Sequence, residues 1–347
     1  MTTLLAGDIG GTKTLLSLYR TEGDRLLPLA VERYPSADWD DLTPMLDRFL
    51  AITEAAGHPR PAAACLAVAG PVRCGRARLT NLPWRLDAAA LAADLAIPRL
   101  ELVNDFAVLI YGLPHVPPDA SSEVRPGSSD PSEPLLVLGA GTGLGVALGV
   151  PVAGGLQAVA SEAAHGEFAP RSEAEWQLRE WLRADLGLER VSIERVVSGT
   201  GLGHVARWLL AQEVGSAHPL AAEASRWQAQ INGAGPDEGA RTDLPAAVAA
   251  AAAQGDPLAR SALDLWLGAY GAVAGDLALA CLARGGVWLA GGTAAKLLNA
   301  LRGPVFEDAF LAKGRLRPVL EPVPIRALLD PEAGSFSAAC RARMLLA

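Results

Sequence analysis

Cysteine is scarce in this chain of 347 residues, and the four present, Cys65, Cys74, Cys281 and Cys340, are scattered. No CxxC pair and no cysteine–histidine cluster occurs, which argues against a structural zinc. Sparse, unpaired cysteines suit a reducing cytoplasm. Excess positive charge is missing too: 38 acidic residues face 30 basic ones, for a formal charge of −8. Non-specific nucleic-acid binding needs Lys and Arg to neutralise phosphates, so that class of function is disfavoured. A local anion site is not excluded, because backbone N–H groups hold phosphate without net charge. The opening MTTLLAGDIGG lacks a basic segment and a cleavage site, so no signal peptide is expected. Long apolar stretches are all interrupted. Gly271–Gly292, for example, carries Asp276 and Arg284 and reads as core, with no membrane partner.

What is present is a hydrophobic half, enough for a sizeable core in two packed lobes. Strand–turn–strand patterns are expected at Thr2–Arg20 and Pro134–Val150. Short strands are expected at Ala62–Ala69, Leu100–Val103 and Val287–Ala290. Helical spacing covers Trp39–Ala56, with Asp38 as N-cap, then Ala88–Ala96, Glu173–Asp185, Gly203–Val214, Leu244–Ala253, Pro257–Arg284, Ala294–Leu301 and the tail Gly334–Leu346. Pro114–Pro134 reads as a surface loop or lobe junction, and Asn232–Asp243 as a second loop. His58, His115, His204 and His218 are isolated and expected on surfaces. Trp176, Trp181, Trp208, Trp227 and Trp266 fall in helical patterns and are expected in the core.

Two segments repeat. LLAGDIGGTKTLLSL from Leu4 matches PLLVLGAGTGLGVAL from Pro134, with Gly11 on Gly141, Thr12 on Thr142 and Leu18 on Leu148. Both are apolar strand, glycine-rich turn with a threonine, then strand, which suggests a duplication in which each lobe presents one phosphate-gripping hairpin. In the first, Gly10 and Gly11 let a phosphate approach the backbone, Thr12 adds a hydroxyl, Lys13 follows, and Asp8 ends the strand. Such a carboxylate can order the water around Mg²⁺. The GxxxxGK[ST] spacing of a Walker loop is absent. The second loop contains Gly141, Thr142 and Gly143 but runs into a strand, against the helix that a dinucleotide fingerprint requires. A third element takes a strand through Gly291-Gly292-Thr293 into a helix, whose first N–H groups favour a phosphate. Any one of these also reads as an ordinary turn.

The three loops, in this order and spacing, resemble the ATP-binding set of the actin/hexokinase superfamily. The pieces between them are similar to the bacterial glucokinase family: DIGGTKT from Asp8, LTNLPW from Leu79, LVNDFAV from Leu102, GAGTGLGVA from Gly139, SEAAHGEFAP from Ser161, ERVVSGTGL from Glu194 and LAGGTAAK from Leu289. They span nearly the whole chain. One departure is Ala163-Ala164 between Glu162 and His165, where the family often has Gly-Gly. The resemblance implies an α/β, two-lobed ribonuclease-H-like (actin-like ATPase/hexokinase) fold with an inter-lobe cleft. A small lobe, 1–112, would be joined by a C-terminal helix, 331–347, and a large lobe would hold 113–330.

It also implies an ATP- and Mg²⁺-dependent glucose kinase of the cytoplasm. Asp105 would be the base, Asn104, Glu162, His165 and Glu194 would hold sugar hydroxyls, and Asn81 would be a weaker contact. Matching a hexose needs several such groups, since each unmatched buried polar group costs about 1–3 kcal/mol. Each has a bland alternative: Asp105 as N-cap of a helix 106–112, Glu194 as a first-turn carboxylate, His165 as a structural histidine, Glu162 as a solvated loop charge. Another hexose or an N-acetylhexosamine as substrate stays open, as does a sugar-binding regulator. Asp8 lies too near the start for a preceding DNA-binding domain, which disfavours the regulator. The oligomeric state is open, a homodimer included.

Overall fold

The computed structural model describes residues 2–79, 82–153, 155–212, 218–233 and 242–346. The chain forms two units, each an α/β assembly. One comprises Met1–Ala120, Ala147–Ala160 and Asp330–Ala347, the other Ser121–Val146 and Ser161–Leu329.

The first unit is built on β1 (Thr3–Ile9), β2 (Lys13–Glu22), β3 (Arg25–Pro35), β4 (Ala63–Val68), a small set β5 (Val72–Arg73), β6 (Arg76–Arg78) and β7 (Arg85–Asp87), and β8 (Leu100–Asn104). The order β3-β2-β1-β4-β8 makes a five-stranded sheet, and β5-β6-β7 makes a separate three-stranded one. The hairpins β1/β2 and β2/β3 are antiparallel, whereas β1/β4 and β4/β8 are parallel. Parallel strands are covered on both faces, and accordingly β4 is buried throughout. One face packs against helix Leu42–Ala55, where Leu42, Met45, Leu46 and Phe49 are fully buried among Leu5, Ile9, Leu16 and Leu18. Burying each such side chain stabilises the fold by about 1.5–3 kcal/mol. Helix Ala333–Met344 packs on β1 and β4 with small side chains, Ala338, Ala339, Cys340 and Ala342. Its Ser335 Oγ meets Ser17 Oγ of β2 at 2.9 Å.

The second unit contains β9 (Ser121–Arg125), β10 (Leu135–Ala140), the start of β11 (Leu144–Val152), the end of β12 (Gly155–Ser161), β13 (Gly286–Ala290) and β14 (Ile325–Leu328). β10, β13 and β14 are parallel neighbours, as β1, β4 and β8 are, and β9 closes the edge antiparallel. This repeated pattern supports the duplication read from the two glycine hairpins. The central helix is Pro257–Cys281. Its length and apolarity would let it cross a membrane, yet 67% of the relevant window is buried. It is a core helix: Trp266 packs at a tilt against Tyr270, and Tyr270 meets Phe306 edge-to-face, with centroids 5.2 and 5.5 Å apart.

Several expectations need correction. The unit boundaries differ from 1–112 plus 331–347 and 113–330, because the first unit extends to Ala120 and also takes Ala147–Ala160. There Ala158 N–H bonds Tyr111 Oη at 3.4 Å and Gly155 lies against Met344. Such long-range contacts leave no local mark in sequence. Within Pro114–Pro134, Ser121–Arg125 is a strand because it pairs with β14. Helix Leu42–Ala55 is capped by Asp41, whose side chain accepts from Leu42 N–H, and not by Asp38. The third glycine turn opens a short helix, Gly292–Lys296, followed by Leu298–Leu301, in place of one continuous helix. His204 is buried, and His218 sits 3.2 Å from Asp256, so neither is a free surface residue. Trp176 is half exposed, its indole under the Arg179 guanidinium. Most of the expected loop Asn232–Asp243 lies outside the described residues.

Candidate active site

In the first unit, Asp8 and Asp105 sit at the same end of the parallel strands β1, β4 and β8, on either side of β4. Asp8 pairs in register with Ala67, and Asp105 N–H bonds Val68 C=O at 2.9 Å. The turn after β8 is organised by Asn104. Its Oδ1 accepts from Phe106 and Ala107 N–H at 3.1 and 3.0 Å, and its Nδ2 donates to Gly70 C=O at 3.1 Å and to Asp105 Oδ1 at 3.0 Å. The side chain bonding the N–H groups that open this turn is therefore that of Asn104. The N-cap reading of Asp105 fails, and the regular helix is only Leu109–Gly112. Burial, then the Asp8 carboxylate, push Asp105 up from the usual 3.8 to about 6. Burial also raises Asp8, against the pull of Lys13. A partly buried carboxyl raised to about 6, with a second carboxylate close enough to add to the shift, suits a general base.

The first glycine loop is a tight hairpin, with Gly10 N–H bonded to Lys13 C=O at 3.0 Å. Sequence reasoning missed its anchor. Ser36 Oγ donates to Gly10 C=O at 2.8 Å and lies 3.0 Å from Thr14 Oγ1, while Ser36 N–H bonds Thr12 C=O at 3.0 Å. Ser36 is 26 residues away in sequence and carries no motif, so only the fold reveals it. Asp8, Gly10, Gly11, Thr12 and Lys13 line a cavity of about 290 Å³, together with an Arg33–Glu332 ion pair.

In the second unit, the second and third loops meet. Thr293 Oγ1 donates to Ala140 C=O. Gly199 N–H bonds Gly141 C=O at 2.7 Å, and Thr200 Oγ1 bonds Thr142 C=O at 2.8 Å. Gly291 turns the chain with φ +84°, a conformation that side chains resist. Glu194 Oε2 accepts from Leu144 N–H at 2.9 Å and lies against Gly143, so this carboxylate braces the second loop. The segment carrying Glu162 and His165 runs beside Glu194: Ile193 N–H bonds Gly166 C=O and Phe168 N–H bonds Val191 C=O, both at 2.9 Å. Glu162 and His165 are exposed and 3.7 Å apart. Asn81 lies outside the described residues.

A cavity of about 490 Å³ opens on these loops, lined by Gly141, Thr142, Gly199, Thr200, Gly292, Thr293 and Lys296 on one side and by Trp227, Gln230, Ile231, Pro245, Ala246 and Ala249 on the other. A polar, glycine-rich side facing an aromatic and aliphatic side suits a nucleotide. The apolar wall was missed because Trp227 reads as ordinary helix core. It is indeed buried, but helix Ala221–Ile231 turns its edge to the cavity. Gly203 admits it: a Cβ there would lie 2.7 Å from the indole.

A family model described as Glucokinase matches residues 5–345. A glucokinase of Nostoc sp. is 41% identical over 99% of this chain and 100% of its own. One from Synechocystis sp. is 42% identical over 96% of each. The crystal structure of a glucokinase from an Antarctic psychrotroph superposes with a TM-score of 0.80 at 26% identity, covering 99% of both chains. The two α/β lobes are thus those of the hexokinase-like fold, and the chain belongs to the glucokinase family.

Proposed function

We propose that this chain transfers the γ-phosphoryl group of ATP to the 6-hydroxyl of glucose. Asp105 carries the reading. Asn104 takes over the capping of the turn and holds Asp105 Oδ1 at 3.0 Å, at the strand end where Asp8 also lies. Asp105 accepts the hydroxyl proton as the oxygen attacks phosphorus. The transition state is loose, so positioning and charge stabilisation dominate, and little covalent chemistry falls to the protein. Backbone N–H groups of the glycine loops hold the phosphates. The base occupies the cavity walled by Trp227, Ile231 and Pro245, and Thr200 and Thr293 add hydroxyls on the polar side.

The donor set fits Mg²⁺, a hard ion that keeps its waters and takes one or two carboxylates plus phosphate oxygens, here with Asp8 as the carboxylate. The ion supplies charge neutralisation to the transferring group. Sugar hydroxyls are assigned to Glu162, His165, Glu194, Asn104 and Asn81. Glu194 has one oxygen engaged by Leu144 N–H and offers the other. Asn104 has both amide protons engaged, so it contributes to the sugar mainly by fixing Asp105. The four cysteines are free, in keeping with a cytoplasmic protein.

Asp105→Asn is the test. A folded variant that binds glucose but loses about 10²–10⁴-fold in kcat is expected. Retention of more than about a tenth of kcat would falsify the base assignment. The same coupled assay with mannose, fructose and N-acetylglucosamine checks that glucose gives the highest kcat/KM.

A further inference from the structure

The small sheet β5-β6-β7 has an inner face that belongs to the core, with Ala77 and Leu86 buried. Side chains alternate across a strand, so the opposite face carries Arg73, Arg76, Arg78, Arg85 and Asp87. The register sets like charges directly opposite one another: Arg73 faces Arg76 and Arg78 faces Arg85. Such cross-strand pairs are destabilising unless something lies between them. Arg76 has a partner in Asp87, at 2.7 Å. Among the described residues, Arg73, Arg78 and Arg85 have neither an ion pair nor a side-chain hydrogen bond. Four guanidinium groups thus crowd one concave face in a chain whose net charge is −8.

Arginine forks match phosphate oxygens bidentately, and a bound dianion turns each repulsive pair into an attractive triplet. The face is small. Arg76 and Arg78 are about 7 Å apart along their strand, and three strands span about 10 Å. That suits a compact anion, whereas a nucleic acid needs a longer basic track. We propose that this outer face is a binding site for a free anion with two linked phosphoryl groups, separate from the loops assigned to the nucleotide. The sheet follows directly from Gly70, whose carbonyl holds Asn104.

The test compares thermal midpoints of the whole protein with those of an Arg78→Ser/Arg85→Ser variant and of Arg73→Ser. Inorganic pyrophosphate is the probe, without metal and at constant ionic strength. Without anion, the variants should melt no lower than the parent, because repulsion is relieved. Pyrophosphate should raise the parent's midpoint further than the variants', with half-saturation roughly tenfold tighter for each guanidinium present. Equal responses would mean that the anion acts only at the nucleotide loops, and would overturn the proposal. So would variants that melt well below the parent without anion, since the arginines would then be partnered structurally. A single-stranded oligonucleotide that stabilises the parent at lower concentration than pyrophosphate would also overturn it.

Discussion

The partly buried Asp105 and the buried His204 are titratable groups with opposite consequences for stability. Asp105 is raised to about 6, so the folded state favours its neutral form. The stability linked to it is present below the ordinary carboxylate range and is lost as pH rises through about 6. At pH 8 the charged Asp105 therefore costs the fold up to about 3 kcal/mol. Asp105→Asn should then melt higher than the parent at pH 8 and show little difference at pH 4, the reverse of a cap loss. Activity should fall as pH drops below about 6, where the base becomes protonated. His204 is shifted the other way. Burial, then Arg207 and Arg195, lower it to about 4, and neither ring nitrogen has a partner among the described residues. The folded state keeps it neutral, so its contribution is full above 6.5 and is lost as pH falls toward 4, by about 3 kcal/mol. His204→Leu should flatten the acid limb of a stability–pH curve measured by urea unfolding. An unchanged slope between pH 6.5 and 4 would show that other groups govern it.

At the scale of elements, the first two glycine loops are each held by a residue from elsewhere in their own unit, Ser36 and Glu194. Ser36 anchors the first loop through Gly10 and Thr14, fully buried. Ser36→Ala leaves two polar groups short of a partner, at about 1–3 kcal/mol. It should lower the melting temperature and raise KM for ATP several-fold more than KM for glucose. A variant with both constants unchanged would mean that the hairpin holds its shape unaided. The helix Gly199–Gln212 joins the second loop at one end and carries Gly203 and His204 against Trp227, whose ring lies 5.4 Å from the imidazole. Gly203→Ala should push the indole toward the cavity. Weaker binding of an ATP analogue, followed by tryptophan fluorescence, is expected, with glucose binding preserved. Equal affinities for the nucleotide would remove Trp227 from the base pocket.

For the whole molecule, the repeated hairpin gives each unit a strand, a glycine turn and parallel neighbours, and assigns the units different chemistry. The first holds the two carboxylates, Asp8 and Asp105, and the second holds the cavity proposed for the nucleotide. Both carboxylates are acidic groups held in a partly buried place, which a divalent cation relieves. Chelation of divalent metal should therefore abolish phosphoryl transfer, and Mg²⁺ should restore it, with the reaction followed by ADP release. Full turnover in excess chelator would remove the metal from Asp8.

The sequence by itself determined the loops and their order. Asp8, the glycine turns and the Asn104-Asp105 pair lie at the ends of strands whose apolar runs are unmistakable, and turn chemistry is local. Helix Glu173–Asp185 was legible to the residue, since Ser172 caps it and its apolar spacing is regular. Tertiary structure decided what local pattern cannot encode. The choice of Asn104 over Asp105 as cap depends on Gly70, contributed by another strand end. The anchoring of a loop by Ser36 and the exposure of Trp227 to a cavity depend on contacts between distant segments. The assignment of Ala147–Ala160 to the first unit has the same cause. Turn and strand propensities act over a few residues, whereas caps, anchors and walls are set by whichever segments the buried core brings together.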